Sequence, residues 1–196
     1  MTVASERIVP TVLIVPGLRD AVDAHWQTLL ALDLEAQRRR VKTVPPMGRS
    51  DLDCATRVQA IERAAQAISG PIVVVAHSGG CVMVAHWARQ TQRPVHGALL
   101  ATPPDFERPM PEGYPTMDAL REGGWLPVPR ERLPFPSIVA ISLDDPLGDV
   151  VRVEQLARDW GSRVVELGFV GHLNPASGYG RWGRAETLID ELSAGC

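Results

Sequence analysis

The 196-residue chain is almost without lysine: Lys42 stands alone beside nineteen arginines, and Asn174 is the only asparagine. Both residues have AT-rich codons, so the bias is that expected of a GC-rich bacterial genome. An excess of positive charge is missing too, since 20 Lys and Arg face 23 Asp and Glu for a net charge of −3. That balance implies no basic face, and no nucleic-acid partner is expected. Long apolar runs are absent. The longest, Ile8 to Pro16, is about half of the roughly 20 residues a membrane helix needs. Glu6 precedes it, Pro10 interrupts it and no small-x-small site follows, so neither a membrane span nor a signal peptide is expected. Cysteine is scarce. Cys54, Cys81 and Cys196 cannot all pair and lack zinc-ligand spacing, which fits a reduced cytoplasm and no metal.

What is present excludes disorder: 45% of residues are apolar and 22% charged. A chain of this size buries about 70% of its extended surface, enough for one core. A single domain over residues 1–196 is therefore expected.

Short apolar runs alternate with helical patterns. Candidate strands are Val12–Val15, Val41–Val44, Ile72–Ala76, Gly97–Ala101, Ile138–Ile141 and Val164–Leu167. They do not alternate with polar residues, which is the mark of strands covered on both faces. Val58, Ile61, Ala65 and Ile68 recur at helical spacing before a stop at Ser69-Gly70-Pro71. Val153, Leu156, Ala157 and Trp160 follow the same period, as do Ala185, Leu188, Ile189 and Leu192. Gly79 to Ala88 is apolar nearly all round and predicts a buried helix. The pattern predicts an α/β fold: a three-layer sandwich, with a mostly parallel sheet of about six strands and helices on both faces. Thr102 to Pro136 breaks the rhythm with nine prolines and little periodicity. A segment of that length without regular structure is either a wrapped surface loop or a functional one.

The sharpest local signal is Ile72-Val73-Val74-Val75-Ala76-His77-Ser78-Gly79-Gly80. A buried strand turns abruptly into a buried helix, with Ser at the turn and small residues around it. This is the setting of a nucleophile elbow, G-x-S-x-G, with Ala76 in the first Gly position. The helix aims its positive end at Ser78, and the Gly79 N–H is placed to hold a developing oxyanion. A serine hydroxyl needs a base. In this arrangement an acid and then a His follow, each in a loop after a later strand. Ser142-Leu143-Asp144-Asp145-Pro146 follows the fifth candidate strand, and Gly168-Phe169-Val170-Gly171-His172-Leu173 the sixth. Asp144 and Asp145 both qualify as the acid, while Asp149 fits a helix cap better. The second oxyanion donor is sought in Val15-Pro16-Gly17-Leu18-Arg19-Asp20, where Leu18 offers its N–H and Gly17 permits the turn. His86 and His96 read as structural. His77 reads as scaffold, pointing away from the serine.

Seven segments in order resemble the small α/β-hydrolases related to the retinoblastoma-binding serine hydrolase and the bacillary YdeN-like hydrolase. They are Val12–Gly17, His25-Trp26-Gln27, Val75–Cys81, Gly97–Asp105, Leu133–Ser137, Ser142–Pro146 and Gly171–Asn174. The resemblance implies a serine hydrolase with a Ser78, Asp145, His172 triad, since the family's acid directly precedes Pro. It implies an α/β-hydrolase fold needing no cofactor and acting on a small-molecule acyl substrate, with Gly17, His25 and Trp26 near that substrate. Where relatives carry a Trp after the second strand, this chain has Pro45-Pro46-Met47-Gly48-Arg49. The family's name also raises a different class, a protein-interaction module with a vestigial site. The pocket-binding pattern L-x-C-x-E is incomplete here, as Leu52-Asp53-Cys54-Ala55-Thr56 lacks the Glu. The chain has no room for an inserted lid, so an open site with an accessible Ser78 is expected.

Overall fold

The computed structural model describes residues 9–19 and 22–194. Glu6, Ile8, Asp20 and Cys196 lie outside them. Six strands form one parallel sheet in the order β2-β1-β3-β4-β5-β6. They are β1 (Thr11–Val15), β2 (Val41–Thr43), β3 (Ile72–His77), β4 (Gly97–Ala101), β5 (Ser137–Ile141) and β6 (Arg163–Glu166). Six helices connect or flank them: α1 (Trp26–Ala36), α2 (Cys54–Gln66), α3 (Gly79–Ala88), α4 (Met117–Glu122), α5 (Val150–Trp160) and α6 (Arg184–Ala194).

The four central strands lack alternation because both of their faces are dry, while the edge strands β2 and β6 are partly exposed. Val12, Ile14, Val73, Val75, Leu99 and Ile138 meet α1 and α6 on one side. Leu13, Val15, Val74, Leu100, Val139 and Ile141 meet α2, α3 and α5 on the other. Parallel strands tolerate this because helical crossovers cover each face. Asp53 caps α2 and Asp149 caps α5, each accepting a backbone N–H three residues on. Cys54 is buried at the start of α2, its thiol pushed up to about 12 chiefly by desolvation. The Leu52–Thr56 segment is thus a helix entry, whose cysteine is not offered to a partner.

Thr102–Pro136 is neither loose nor wholly irregular. It contains α4, which the prolines on either side concealed. Phe106, Leu120, Trp125, Val128, Leu133 and Phe135 sink into the core that holds α2 and α3. The Trp125 indole N–H donates to the Leu52 carbonyl at 2.7 Å, and the Trp160 indole N–H to the Pro129 carbonyl at 2.8 Å. Arg152 pairs with Asp105 and Glu107, and Arg130 joins Glu107 to Asp159.

The sheet order reverses direction at β1. The loops after β1 and β3 leave its C-terminal edge side by side, the position where open α/β sheets bind ligands. The two meet closely. A Cβ on Gly80 would lie 2.7 Å from the carbonyl oxygens of Val15 and Pro16. Gly80→Ala is therefore expected to lower stability by about 1–3 kcal/mol, read as a reduced urea midpoint at unchanged slope. A wild-type midpoint in that variant would show that the approach of the two loops is not constrained.

Candidate active site

Ser78 sits between the last residue of β3 and the first of α3, at φ 55° and ψ −131°. A non-glycine residue rarely occupies that conformation, and it persists only where its surroundings hold it. Here the Ser78 N–H donates to the Ala101 carbonyl at 3.0 Å, and the Cys81 N–H returns to the Ser78 carbonyl at 2.9 Å. The turn tolerates no bulk nearby. A Cβ on Gly17 would stand 3.1 Å from the Ser78 Cβ, and one on Gly79 would meet the Leu18 side chain at 2.8 Å. The β1 loop therefore lies directly on the elbow. Gly79, as the first helical residue, has no intrahelical acceptor for its N–H. No described residue accepts a hydrogen bond from Gly79 N or Leu18 N.

His172 reaches Ser78 from the loop after β6. Its Nε2 lies 2.7 Å from the Ser78 Oγ, and its Nδ1 lies 2.9 Å from both carboxylate oxygens of Asp145. A carboxylate only accepts, so Nδ1 carries the proton and Nε2 is left to take one from the hydroxyl. The His172 and Asp145 side chains are 5% and 4% exposed, so little water competes for these bonds.

The adjacent aspartates divide the work. Asp145 faces the imidazole and also accepts the Leu147 N–H. Asp144 turns the other way and accepts the Gly171 N–H at 2.7 Å, gripping the histidine loop. The same loop is held by Ser177, whose Oγ accepts the His172 N–H at 3.0 Å and donates to Asn174. Leu173 has φ 47°, so the loop bends sharply beside the imidazole.

Two more histidines lie beneath. The His77 ring is 5.0 Å from that of His172 and 4.7 Å from that of His25. Burial holds His77 well below its ordinary range, and the neighbouring His172 and His25 add to that. Being neutral, His77 donates its Nε2–H to the His172 carbonyl at 2.9 Å. The sequence reading of His77 as scaffold pointing away missed this direct hold on the histidine loop. His25 caps α1 by accepting the Gln27 N–H on its Nδ1, and burial lowers it to about 4, with His172 contributing. Gln27 was missed as well. Its carboxamide N–H₂ donates to the Val15 and Val75 carbonyls, both at 3.1 Å, and so ties β1 to β3 just below the two loops.

A cavity of about 220 Å³ opens beside Ser78. Gly17, Leu18, His25 and His172 border it. Its far wall comes from the proline-rich segment through Phe106, Met110, Tyr114 and Pro115, and Pro175 and Ala176 close another side. Ser78 remains half-buried at the cavity rather than sealed beneath that segment. Trp26 is a correction. The sequence suggested that it borders the substrate, but it is fully buried in the core, its ring 4.9 Å from that of Trp182. As the first residue of α1 it points into the sheet face, and the cap position beside it, His25, takes the wall. Among the described residues no group of three His, Cys, Asp or Glu could hold a metal ion. No helix among them is long and apolar enough to cross a membrane.

The serine hydrolase family matches residues 12–191. Among solved structures the fold resembles a YdeN-like hydrolase from Pectobacterium atrosepticum, with TM-score 0.78 and 24% identity over 95% of this chain and 91% of that one. It resembles the ydeN gene product of B. subtilis, with TM-score 0.75 and 15% identity over 94% and 99% of the two chains. It also resembles Est1E from Butyrivibrio proteoclasticus, solved with ferulic acid bound, with TM-score 0.68 and 11% identity over 97% and 89%. No curated protein matches the sequence.

The buried histidines make stability sensitive to acid. In the unfolded chain they take up protons near 6.5, whereas folded His25 resists until about 4. The unfolded state then holds more protons between those values, so stability falls as pH drops from about 6.5 toward 4. Tm should decline across that window, and the decline should be shallower in His25→Asn and His77→Asn. A slope identical to wild type in both variants would refute the assignment.

Proposed function

The chain belongs to the serine hydrolase family, and from that premise we propose that it hydrolyses a small acyl ester through an acyl-enzyme on Ser78. The observation that carries this reading is the run of hydrogen bonds from Ser78 through His172 to Asp145, at 2.7 and 2.9 Å. His172 Nε2 takes the hydroxyl proton as Ser78 Oγ attacks the carbonyl carbon. The carbonyl oxygen becomes an oxyanion, held by the N–H groups of Gly79 and Leu18. His172 then gives the proton to the leaving alcohol as the bond between acyl carbon and alcohol oxygen breaks. Water enters, loses a proton to the same imidazole and releases the acid, and the proton returns to Ser78. Asp145 holds the imidazole in the tautomer that starts the cycle and stabilises its cation. Apart from the water consumed, each step is assigned to a group on the chain.

Fluorophosphonate labelling and p-nitrophenyl ester turnover test the reading. Ser78→Ala should abolish labelling and lower kcat by about 10⁴–10⁶. Asp145→Asn should lower kcat by about 10⁴, whereas Asp144→Asn, which keeps an amide oxygen for the Gly171 N–H, should cost much less. Labelling that persists in Ser78→Ala would overturn the assignment. A wild-type protein that neither labels nor turns over esters would favour an interaction module instead.

A further inference from the structure

We propose that the cavity beside Ser78 selects an acyl ester carrying a negative charge, whose anionic group is met by Arg49 and Arg19. The proposal rests on the reading of Ser78 as a nucleophile. Two arginines border the cavity, and no Asp or Glu does so among the described residues. The rest of the lining is largely apolar, including Leu18, Val22, Phe106, Met110 and Leu147. An acyl chain would leave water against those walls, and its charged end would need a cation nearby.

The lining is locally positive although the chain as a whole is not. The chain is net negative, and eight arginines elsewhere are paired with carboxylates. Arg49 and Arg19 have no carboxylate partner among the described residues. Arg19 is held in place. Its guanidinium stacks 3.9 Å above the Tyr114 ring and donates to the Gly113 carbonyl at 2.5 Å. Stacking occupies the face of the group and one N–H, leaving other edge donors for an anion. Arg49 is exposed, follows β2 and borders the same cavity. A cation at an apolar cavity's rim attracts an anion through a lower dielectric than open surface offers, so it both steers and holds it.

The test uses two 4-methylumbelliferyl esters of equal length, the glutarate half-ester with a free carboxylate and the uncharged glutaramate ester. The wild type should favour the charged ester in kcat/KM by about five- to thirtyfold, and the ratio should shrink as salt rises. Arg49→Gln should bring the ratio toward one, and the Arg19→Gln, Arg49→Gln double variant should bring it to one or below. Because the readout is a ratio, a general loss of activity in a variant cancels. Protection of Ser78 from fluorophosphonate is the second measurement: glutarate should protect at lower concentration than the uncharged diamide glutaramide. Equal turnover and equal protection by charged and neutral compounds would overturn this proposal alone, as would a ratio unchanged in the double variant. Absence of Ser78 labelling would overturn the hydrolase reading and this proposal with it.

Discussion

The site depends on one turn. The chain must pass from the end of β3 into α3 at a single serine with positive φ, and everything around that serine yields to it. Gly17 and Gly80 are small because the two loops' backbones approach there, and Gly79 because the Leu18 and Phe106 side chains lie against it. The β1 loop can then lie directly against the elbow. Strain of this kind costs of order 1–3 kcal/mol and survives only in a rigid frame. The frame is the β1–β3 pairing, in which Val15 stands opposite Ala76. Gln27 reinforces it from the helix layer with one carboxamide bonded to both strands.

The histidine side is built differently. The loop after β6 has no strained nucleophile to define it, so it is held by many ordinary hydrogen bonds. Asp144 takes the Gly171 N–H, Ser177 takes the His172 N–H and His77 reaches the His172 carbonyl. These bonds fix the peptide groups on both sides of the imidazole, while Asp145 fixes the ring. A base that must stay within hydrogen-bond reach of a hydroxyl gains rate from such pre-positioning. The His77 and His25 imidazoles beneath it are held neutral because burial opposes charge.

The sheet, its covered faces and the order of Ser, acid and His were legible because each leaves a local mark. Each Val-, Ile- and Leu-rich run, the small residues about Ser78 and the placing of Asp144, Asp145 and His172 just after a strand can be read within a few residues of sequence. What was not legible joins distant parts of the chain. That Asp145 rather than Asp144 faces His172 follows from which side of a two-residue turn meets the β6 loop, and spacing alone leaves both open. The Gln27 carboxamide links strands separated by 60 positions, which no periodicity reports. Trp26 misled because its neighbour His25 does border the cavity, while a one-residue step around a helix turns the indole into the core. Helix α4 was hidden because six residues are too few for a helical period to show.

The proline-rich segment shows how a small chain can shape a pocket without an inserted domain. Its prolines limit the freedom the segment must surrender on folding. Its large side chains, Phe106 and Trp125 among them, pack edge to face on each other and sink into the core shared with α2 and α3. Once pinned, it can supply a cavity wall without having to open and close. Arg19 ties it to the β1 loop, through the Gly113 carbonyl and the Tyr114 ring. That arginine follows Leu18, so the same three residues, Gly17 to Arg19, border both the elbow and the cavity and tie down its proline-rich wall. Holding a wall and presenting a charge are compatible in arginine, whose planar group stacks by its face and bonds by its edge. Lysine offers a single point charge and could not do both, which gives a physical reason for arginine at this position beyond the chain's general bias.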